Sequence, residues 1–322
     1  MFIYCLWFAL GLVLLIFGGD WFVDGSTSIA KKFHIPELLI GATIVSIGTT
    51  LPEVMVSATG ALQGHSQIAY GNALGSIICN TALISAITVA VNPTSVEKKS
   101  LYTPVIFFFV AMGFYSFCAY GDGYFSRIEG LILLGIFVLY IALQIKQALS
   151  VEKKDVIEEN NDEKDTPLYK DLLLLVAGAA AIAFGADLLV DYGTLIASEL
   201  GVPESVIALT FVALGTSLPE LVTAITSLIK GHGLLSLGNI IGANLFNLVL
   251  VSGISISLKP FAVPVDKTIL GMNASFVLDI PLCIIVMALL TLPPLFKGKL
   301  YRFQGILLLI IYFAYCGFQF FI

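Results

Sequence analysis

Two stretches of the chain, GATIVSIGTTLPE (41–53) and ALTFVALGTSLPE (208–220), are copies of each other. Two further pairs are related in the same way: GGDWFVDG (18–25) with GADLLVDY (185–192), and GNALGSIICN (71–80) with GNIIGANLFN (238–247). All three pairs are 167 residues apart, as Glu53 and Glu220 are, and no gap is needed. Unrelated apolar helices would share leucines rather than polar residues, so this constant offset indicates an internal duplication.

The amino-acid composition is that of a membrane protein. Of the 322 residues, 58% are hydrophobic and 12% are charged, and the mean hydropathy is +0.98. Soluble domains carry about 25% charged residues. A helix that crosses a bilayer needs about 20 apolar residues, so the chain has room for about ten spans and for no sizeable soluble domain. Hydropathy, charge and Gly/Pro positions predict spans at 3–30, 38–62, 68–92, 101–119, 128–147, 171–198, 205–229, 234–257, 268–292 and 303–321.

The duplication divides the chain into two halves. We predict a first five-helix repeat at 1–146, an acidic cytoplasmic linker at 147–170 and a second five-helix repeat at 171–322. Because each half has an odd number of spans, the second copy enters the bilayer from the opposite side. The predicted fold is therefore an all-α integral membrane protein with ten transmembrane helices in two inverted repeats. This architecture is typical of secondary transporters, whose substrates bind near the midplane between the repeats.

The basic residues predict how the chain lies in the membrane. With both termini outside, thirteen of the 16 Lys and Arg residues lie in the cytoplasm, and only Arg127, Lys259 and Lys267 lie outside. A Lys/Arg bias in short loops sets orientation. We therefore expect both termini outside and the 147–170 linker inside, in a cell (inner or plasma) membrane.

Glu53 and Glu220 are the candidate binding residues, because each lies midway along a predicted span. An ionised group at that depth is costly unless it is paired or hydrated, and no basic residue lies in the centre of any span. The missing partner is then a cation or a proton. Pro52 and Gly48 predict freed carbonyls around Ile47 to Thr49, which can coordinate ions directly.

The side chains around the two glutamates carry only oxygen ligands and amides. Thr49 and Thr50 lie four and three residues before Glu53 and so share its helix face, and Thr216 and Ser217 repeat this before Glu220. The following helix carries Ser76 and Asn80, four residues apart, and its copy in the second repeat carries Asn247. Asn72 and Asn239 recur as well, either near the site or as helix–helix hydrogen-bonding residues. A set of carboxylates, carbonyls and hydroxyls suits a hard cation, and its flexibility suits Ca²⁺ better than Mg²⁺. Na⁺ uses similar ligands.

At these motifs the chain resembles the cation/calcium exchanger superfamily, and most closely its prokaryotic sodium/calcium exchangers. The resemblance is carried by GTTLPE (48–53) and GTSLPE (215–220), each followed by a G-N-x-x-G helix. It implies that spans 1 and 6 slide across a core of spans 2, 3, 7 and 8. It also implies that Ca²⁺ binds to Glu53, Glu220 and the carbonyls of Thr49 and Thr216, and that Na⁺ sites draw on Ile47, Thr50, Ser76, Ala213 and Ser217.

The chain departs from some members of that superfamily at two positions. Residue 243 is alanine where some relatives have serine, and residue 247 is asparagine where potassium-dependent members have aspartate. We therefore expect no dependence on potassium.

The expected activity is antiport of Na⁺ against Ca²⁺ by alternating access, and Ca²⁺/H⁺ antiport is the alternative, since a desolvated glutamate also holds a proton. A passive channel and an intramembrane enzyme fit less well, because inverted repeats indicate exchange and His34, His65 and His232 fall in loops. We expect Ca²⁺, Na⁺ and the lipid bilayer as partners, with no nucleic acid and no cofactor. For Asp279 we expect a local helix contact. Four aspartates recur between the repeats and either tune gating or face water: Asp20, Asp24, Asp187 and Asp191.

Overall fold

The chain folds almost entirely into long apolar helices. The structure, a computed structural model, describes residues 2–150, 167–200, 215–265 and 268–319. The helices are α1 Phe2–Lys32, α2 Glu37–Gln63, α3 Ser66–Val91, α4 Lys98–Gly121, α5 Arg127–Ser150, α6 Leu168–Glu199, α7 Leu218–Ile229, α8 Gly233–Leu258, α9 Ser275–Lys297 and α10 Arg302–Gln319.

Nine helices in this described part are long and apolar enough to cross a bilayer, and the tenth, α7, has 12 residues. The beginning of the predicted seventh span, 205–214, lies outside the described residues. At the predicted linker, α5 continues to Ser150 and α6 begins at Leu168, while 151–166 also lie outside the described residues. The prediction of an all-α membrane protein is confirmed.

The ninth span lies further along the chain than predicted. The predicted span was 268–292, but the helix is Ser275–Lys297, and a short hairpin of β3 (Thr268–Ile269) and β4 (Met272–Asn273) precedes it. Leu270 and Gly271 have positive φ angles, so the chain turns there instead of starting a helix. The Asn273 side chain then accepts a hydrogen bond from the Ser275 backbone N–H at 2.9 Å. A second pair of short strands, β1 (Tyr124–Phe125) and β2 (Phe261–Ala262), ties the α4–α5 turn to the segment after α8.

Helices α1 and α6 form a pair on one side of the molecule. Their backbones touch, because a Cβ atom at Gly178 would lie 2.5 Å from the Phe22 nitrogen and 2.8 Å from the Gly18 oxygen. The pair has its own hydrophobic cluster, which includes Phe22, Ile182 and neighbouring side chains and meets α2 and α8 along one edge. The pair is therefore a body distinct from the larger core formed by the remaining helices.

Helix α8 is the centre of that larger core. Every residue from Leu235 to Phe246 is buried. Glycines let α2 and α8 touch, since a Cβ atom at Gly238 would overlap the backbone of Leu38 and one at Gly41 would overlap that of Leu235. This close crossing places the polar residues of α8 directly beside the GTTLPE motif of α2.

Candidate ion-binding site

The two motif glutamates lie in the interior of the protein. Glu53 is in the middle of α2, Glu220 is in the first turn of α7, and both are fully buried. None of their four carboxylate oxygens has a hydrogen-bond partner within the described ranges. The carboxylates are close enough to repel each other electrostatically. Two buried carboxylates without hydrogen-bond partners need a bound cation or a proton to offset the cost of their charge.

Further buried polar side chains without a partner recur at matching positions of the two repeats. Thr50 and Asn80 come from the first repeat, and Ser217 and Asn247 occupy the matching positions of the second. All four side chains are buried, and their hydroxyl oxygens and amide groups have no partner in the part of the chain that the structure describes. Each repeat therefore contains one carboxylate, one hydroxyl and one amide that are buried without a hydrogen-bond partner among the described residues.

The donor set is one of oxygen rather than of nitrogen or sulfur ligands. Among the described residues, no three His, Cys, Asp or Glu side chains form a group that could hold a metal ion. The site offers two carboxylates, and its other oxygens come from amides, hydroxyls and the backbone. Such ligands suit Ca²⁺ and Na⁺ rather than a transition metal.

Two hydrogen bonds between the repeats position the motif threonines. The Thr49 hydroxyl donates to the Asn239 side-chain oxygen at 3.1 Å, and the Thr216 hydroxyl donates to that of Asn72, also at 3.1 Å. Each threonine is thus held by an asparagine of the other repeat.

The two asparagines are positioning residues that sequence reasoning left unassigned. The Asn72 amide also donates to the Ser57 hydroxyl at 2.8 Å and to the Glu53 carbonyl at 3.3 Å. The Asn239 carbonyl accepts a hydrogen bond from the Ser46 hydroxyl at 3.0 Å. Their recurrence at one offset was the sequence signal, but their partners lie across the repeat boundary and could not be read from spacing.

Replacing Asn239 by alanine is expected to raise the calcium concentration for half-maximal transport about fivefold. The reason is that a buried hydrogen bond contributes about 1 kcal/mol and its loss frees Thr49 to rotate. Calcium-45 transport at graded concentrations measures this. Thr43→Ala is the control, because the Thr43 hydroxyl bonds only to carbonyls of its own helix. An unchanged calcium dependence in Asn239→Ala would show that the asparagine does not position the site.

Wide helical turns begin at both site amides. Asn80 is the first residue of a π-helical segment that ends at Ser85, and Asn247 is the first of one that ends at Val251. Such segments distort the regular hydrogen-bond ladder and occur often at functional sites. A third, Gly41–Val45, precedes the GTTLPE motif.

The helix is not interrupted where the sequence suggested freed carbonyls. Pro52 lies inside α2, which is helical from Ser46 to Gln63, and the wide turn lies upstream of Ile47. In the second repeat the backbone does leave the helix, because Thr216 and Ser217 form a turn before α7. The two motifs, although nearly identical in sequence, therefore have different backbones.

The remaining predicted residues lie around this centre. Ser76 is buried and, with Asn72 and Thr216, lines a cavity of about 530 Å³ that extends to Gln67 of α3 and Gln319 of α10. Ile47 is half-buried against the main core, and Ala213 lies outside the described residues. On the cavity wall Asp279 accepts a hydrogen bond from the Tyr315 hydroxyl at 3.3 Å, which is the helix contact expected for it.

The family model described as sodium/calcium exchanger protein matches residues 3–146 and 170–321. The chain belongs to the sodium/calcium exchanger family. The resemblance deduced from the two motifs is thus confirmed, and the exchanger is an integral membrane cation/calcium antiporter. The family is one of transporters rather than enzymes.

Full-length relatives share the same organisation. The exchanger is 35% identical over 315 residues to the putative antiporter CaxA of Alkalimonas amylolytica, covering 96% of this chain and 95% of that one. It is 30% identical over 349 residues to the sodium/calcium exchanger MaX1 of Methanosarcina acetivorans, covering 97% of each. Its fold is similar to that of the sodium-calcium exchanger NCX_Mj soaked with 2.5 mM Na⁺ and 10 mM Sr²⁺, with a TM-score of 0.80, 32% identity and 97% of each chain covered.

Proposed function

We propose that this protein exchanges Na⁺ for Ca²⁺ across the cell membrane and that both ions bind between the repeats at Glu53 and Glu220. The observation that carries the proposal is the pair of fully buried glutamates, whose four oxygens have no hydrogen-bond partner within the described residues. Relatives named as sodium/calcium exchangers support the choice of ions.

The charge of the site explains why the two ions would be exchanged rather than carried together. Two ionised glutamates carry two negative charges, which one Ca²⁺ neutralises. Sodium ions use the same oxygens, so Na⁺ and Ca²⁺ compete for one set of ligands. An empty site leaves both carboxylates buried without positive charge, which is costly at membrane depth. The protein can therefore switch between outward and inward access more readily when an ion is bound than when the site is empty. Movement of one ion across the membrane then requires that the other ion is carried back.

The asparagine at position 247 bears on the choice of ions. Asn247 is fully buried and uncharged, and its amide has no hydrogen-bond partner among the described residues. The site charge therefore stays at two rather than three negative charges. With no third carboxylate to balance, we propose that exchange needs no potassium.

In the proposed orientation both termini lie outside and the 147–170 segment lies in the cytoplasm. The cavity that reaches Ser76 and Thr216 extends toward the start of α3 and the end of α10, which lie at the outer face in this orientation. We therefore propose that ions approach the site from outside through the cavity beside Ser76 and Thr216.

Calcium-45 uptake into proteoliposomes tests the proposal. Vesicles loaded with Na⁺ and diluted into Na⁺-free buffer are expected to take up calcium, and vesicles without internal Na⁺ are not. A pH gradient imposed in place of the Na⁺ gradient distinguishes Na⁺/Ca²⁺ exchange from the alternative, Ca²⁺/H⁺ exchange. Uptake driven by the pH gradient alone would identify Ca²⁺/H⁺ exchange, and uptake under neither gradient would contradict calcium as the substrate.

A further inference from the structure

A cluster of ion pairs joins the α1–α6 pair to the core at one face of the protein. Lys230, which follows α7, has its Nζ atom 2.8 Å from Asp24 Oδ1 and 3.1 Å from Asp20 Oδ1, both on α1. The same nitrogen donates to the Asp20 carbonyl at 3.2 Å. Partial burial by itself lowers the pKa of Lys230, but Asp24 and Asp20 outweigh it, and the pKa is raised above its ordinary value. The lysine is therefore charged at physiological pH.

The duplication shows that this contact exists in one half only. The residues matching Asp20 and Asp24 are Asp187 and Asp191 on α6, but the residue matching Lys230 is Gln63, the last residue of α2. Asp187 and Asp191 are exposed, and neither makes an ion pair with a basic residue in the described part of the chain. The carboxylates thus occur in both repeats, but within the described residues only those on α1 form an ion pair of this kind. Lys259, whose Nζ atom would lie 3.1 Å from a Cβ atom at Gly64, forms no ion pair with Asp187 or Asp191.

The two faces are opposite ends of the core. His232, two residues after Lys230, lies 2.7 Å from Glu37 at the start of α2, whereas Gln63 is at the end of the same helix. In the proposed orientation Lys230 is at the cytoplasmic face and Gln63 at the outer face. The cavity that reaches Ser76 and Thr216 lies at the Gln63 end.

We propose that Lys230 is a latch that holds the α1–α6 pair against the cytoplasmic end of the core and so sets the resting exchanger to face outward. The inference rests on the proposed function, because it assigns the latch to an alternating-access cycle. In inverted-repeat transporters access alternates when one bundle moves against the other around a fixed site. In such a motion the contacts at one face open as those at the other close. Within the described residues this ion pair joins the α1–α6 pair to the core at the cytoplasmic face and has no counterpart at the outer face, so the two states differ in energy although the repeats are nearly symmetric.

The transport test compares calcium affinity at the two faces, in right-side-out and inverted membrane vesicles. Partly exposed ion pairs of this kind shift an equilibrium by about two- to fivefold. Apparent affinity scales with the population of the competent state. Lys230→Gln is therefore expected to raise the half-saturating calcium concentration outside and to lower it inside, and the ratio should change about threefold. Gln63→Lys adds the missing cation beside Asp187 and Asp191 and should change the ratio in the same direction.

Two controls separate the latch from general damage. Lys32→Gln removes an ion pair with Asp171 that lies within the α1–α6 pair, so the ratio should not change. Lys230→Asp should shift the ratio further than Lys230→Gln, and Asp24→Lys in that background should restore it. A structural defect would weaken calcium affinity at both faces and would not be rescued by the charge swap.

Spin-label distances test the latch without reference to the transported ions. Labels at the exposed positions His34 and Lys299, in a chain whose five cysteines are replaced, report the position of α1 relative to the core. Lys230→Gln and Gln63→Lys are expected to add a second distance population that the wild type lacks. If the distances shift but no gradient drives calcium uptake, the proposed function fails and the latch stands. If sodium-driven uptake occurs but neither variant changes the distances or the affinity ratio, the latch is overturned.

Discussion

Glutamine at position 53 or at position 220 is expected to abolish calcium exchange, lowering its rate at least about 100-fold. Each substitution removes one of the two charges that balance Ca²⁺, and one remaining carboxylate cannot neutralise a divalent ion in a buried site. A loss of about 3 kcal/mol of ion binding would account for a reduction of this size. Calcium-45 exchange in proteoliposomes measures the rate.

The same substitutions are expected to raise thermal stability in cation-free buffer. Neither carboxylate has a hydrogen-bond partner among the described residues, so glutamine removes repulsion between the two glutamates and the cost of burying a charge. Loss of activity together with a melting temperature raised by a few degrees identifies a binding residue, whereas misfolding would lower both. Glu97→Gln is the control, because Glu97 is exposed and its carboxylate accepts a hydrogen bond only from nearby Ser100. A glutamine variant at 53 or 220 that still exchanges calcium would contradict the site.

Alanine at Gly238 is expected to cause the second large effect, a loss of about 3 kcal/mol of stability. The added Cβ would overlap the Leu38 carbonyl group, which is backbone and cannot move aside as a flexible side chain can. Overpacking of a protein interior typically costs about 1–3 kcal/mol of stability. We expect a cost near the upper end of this range, because the added atom would meet the backbone of a second helix. Helices α2 and α8 would have to separate, and the hydrogen bond between Thr49 and Asn239 would lengthen with them. Thermal unfolding of the detergent-solubilised protein measures the loss.

Gly113→Ala is the matched control for this packing prediction. Gly113 also lies in a transmembrane helix, but a Cβ atom there would meet no other atom within 4 Å. Alanine is a better helix former than glycine, so this variant should be as stable as the wild type or slightly more stable. Equal melting temperatures for Gly238→Ala and the wild type would mean that α2 and α8 are further apart than the structure shows.

Much of the architecture could be predicted from the sequence because hydrophobicity and duplication are both visible in it. The spans follow from apolar length, and the inverted arrangement follows from an odd number of spans in each repeat. The ninth span was misplaced because Thr268, Ile269 and Met272 are as apolar as a helix end, while the turn at Leu270 and Gly271 depends on local backbone angles.

The sequence predicted which residue types form the candidate site, but it did not predict the hydrogen bonds and helix distortions around them. Glu53 and Glu220 could be identified because an ionised carboxylate inside a membrane span is costly unless it is paired or hydrated. The positioning role of Asn72 and Asn239 depends on partners 144 and 190 residues away, which no local pattern indicates. The π segments that begin at Asn80 and Asn247 were not predicted either, because no residue pattern in the sequence identified them.

Locating a divalent ion directly tests the central claim, that Glu53 and Glu220 together hold the transported calcium. Sr²⁺ is a suitable probe, because it has the charge of Ca²⁺ and an anomalous X-ray signal. In crystals soaked with Sr²⁺, we expect one anomalous peak between the two carboxylates, close to the Thr49 and Thr216 carbonyls, and we expect excess Na⁺ to remove it. An anomalous map with no peak between Glu53 and Glu220, or with a peak that persists unchanged in high Na⁺, would contradict the account.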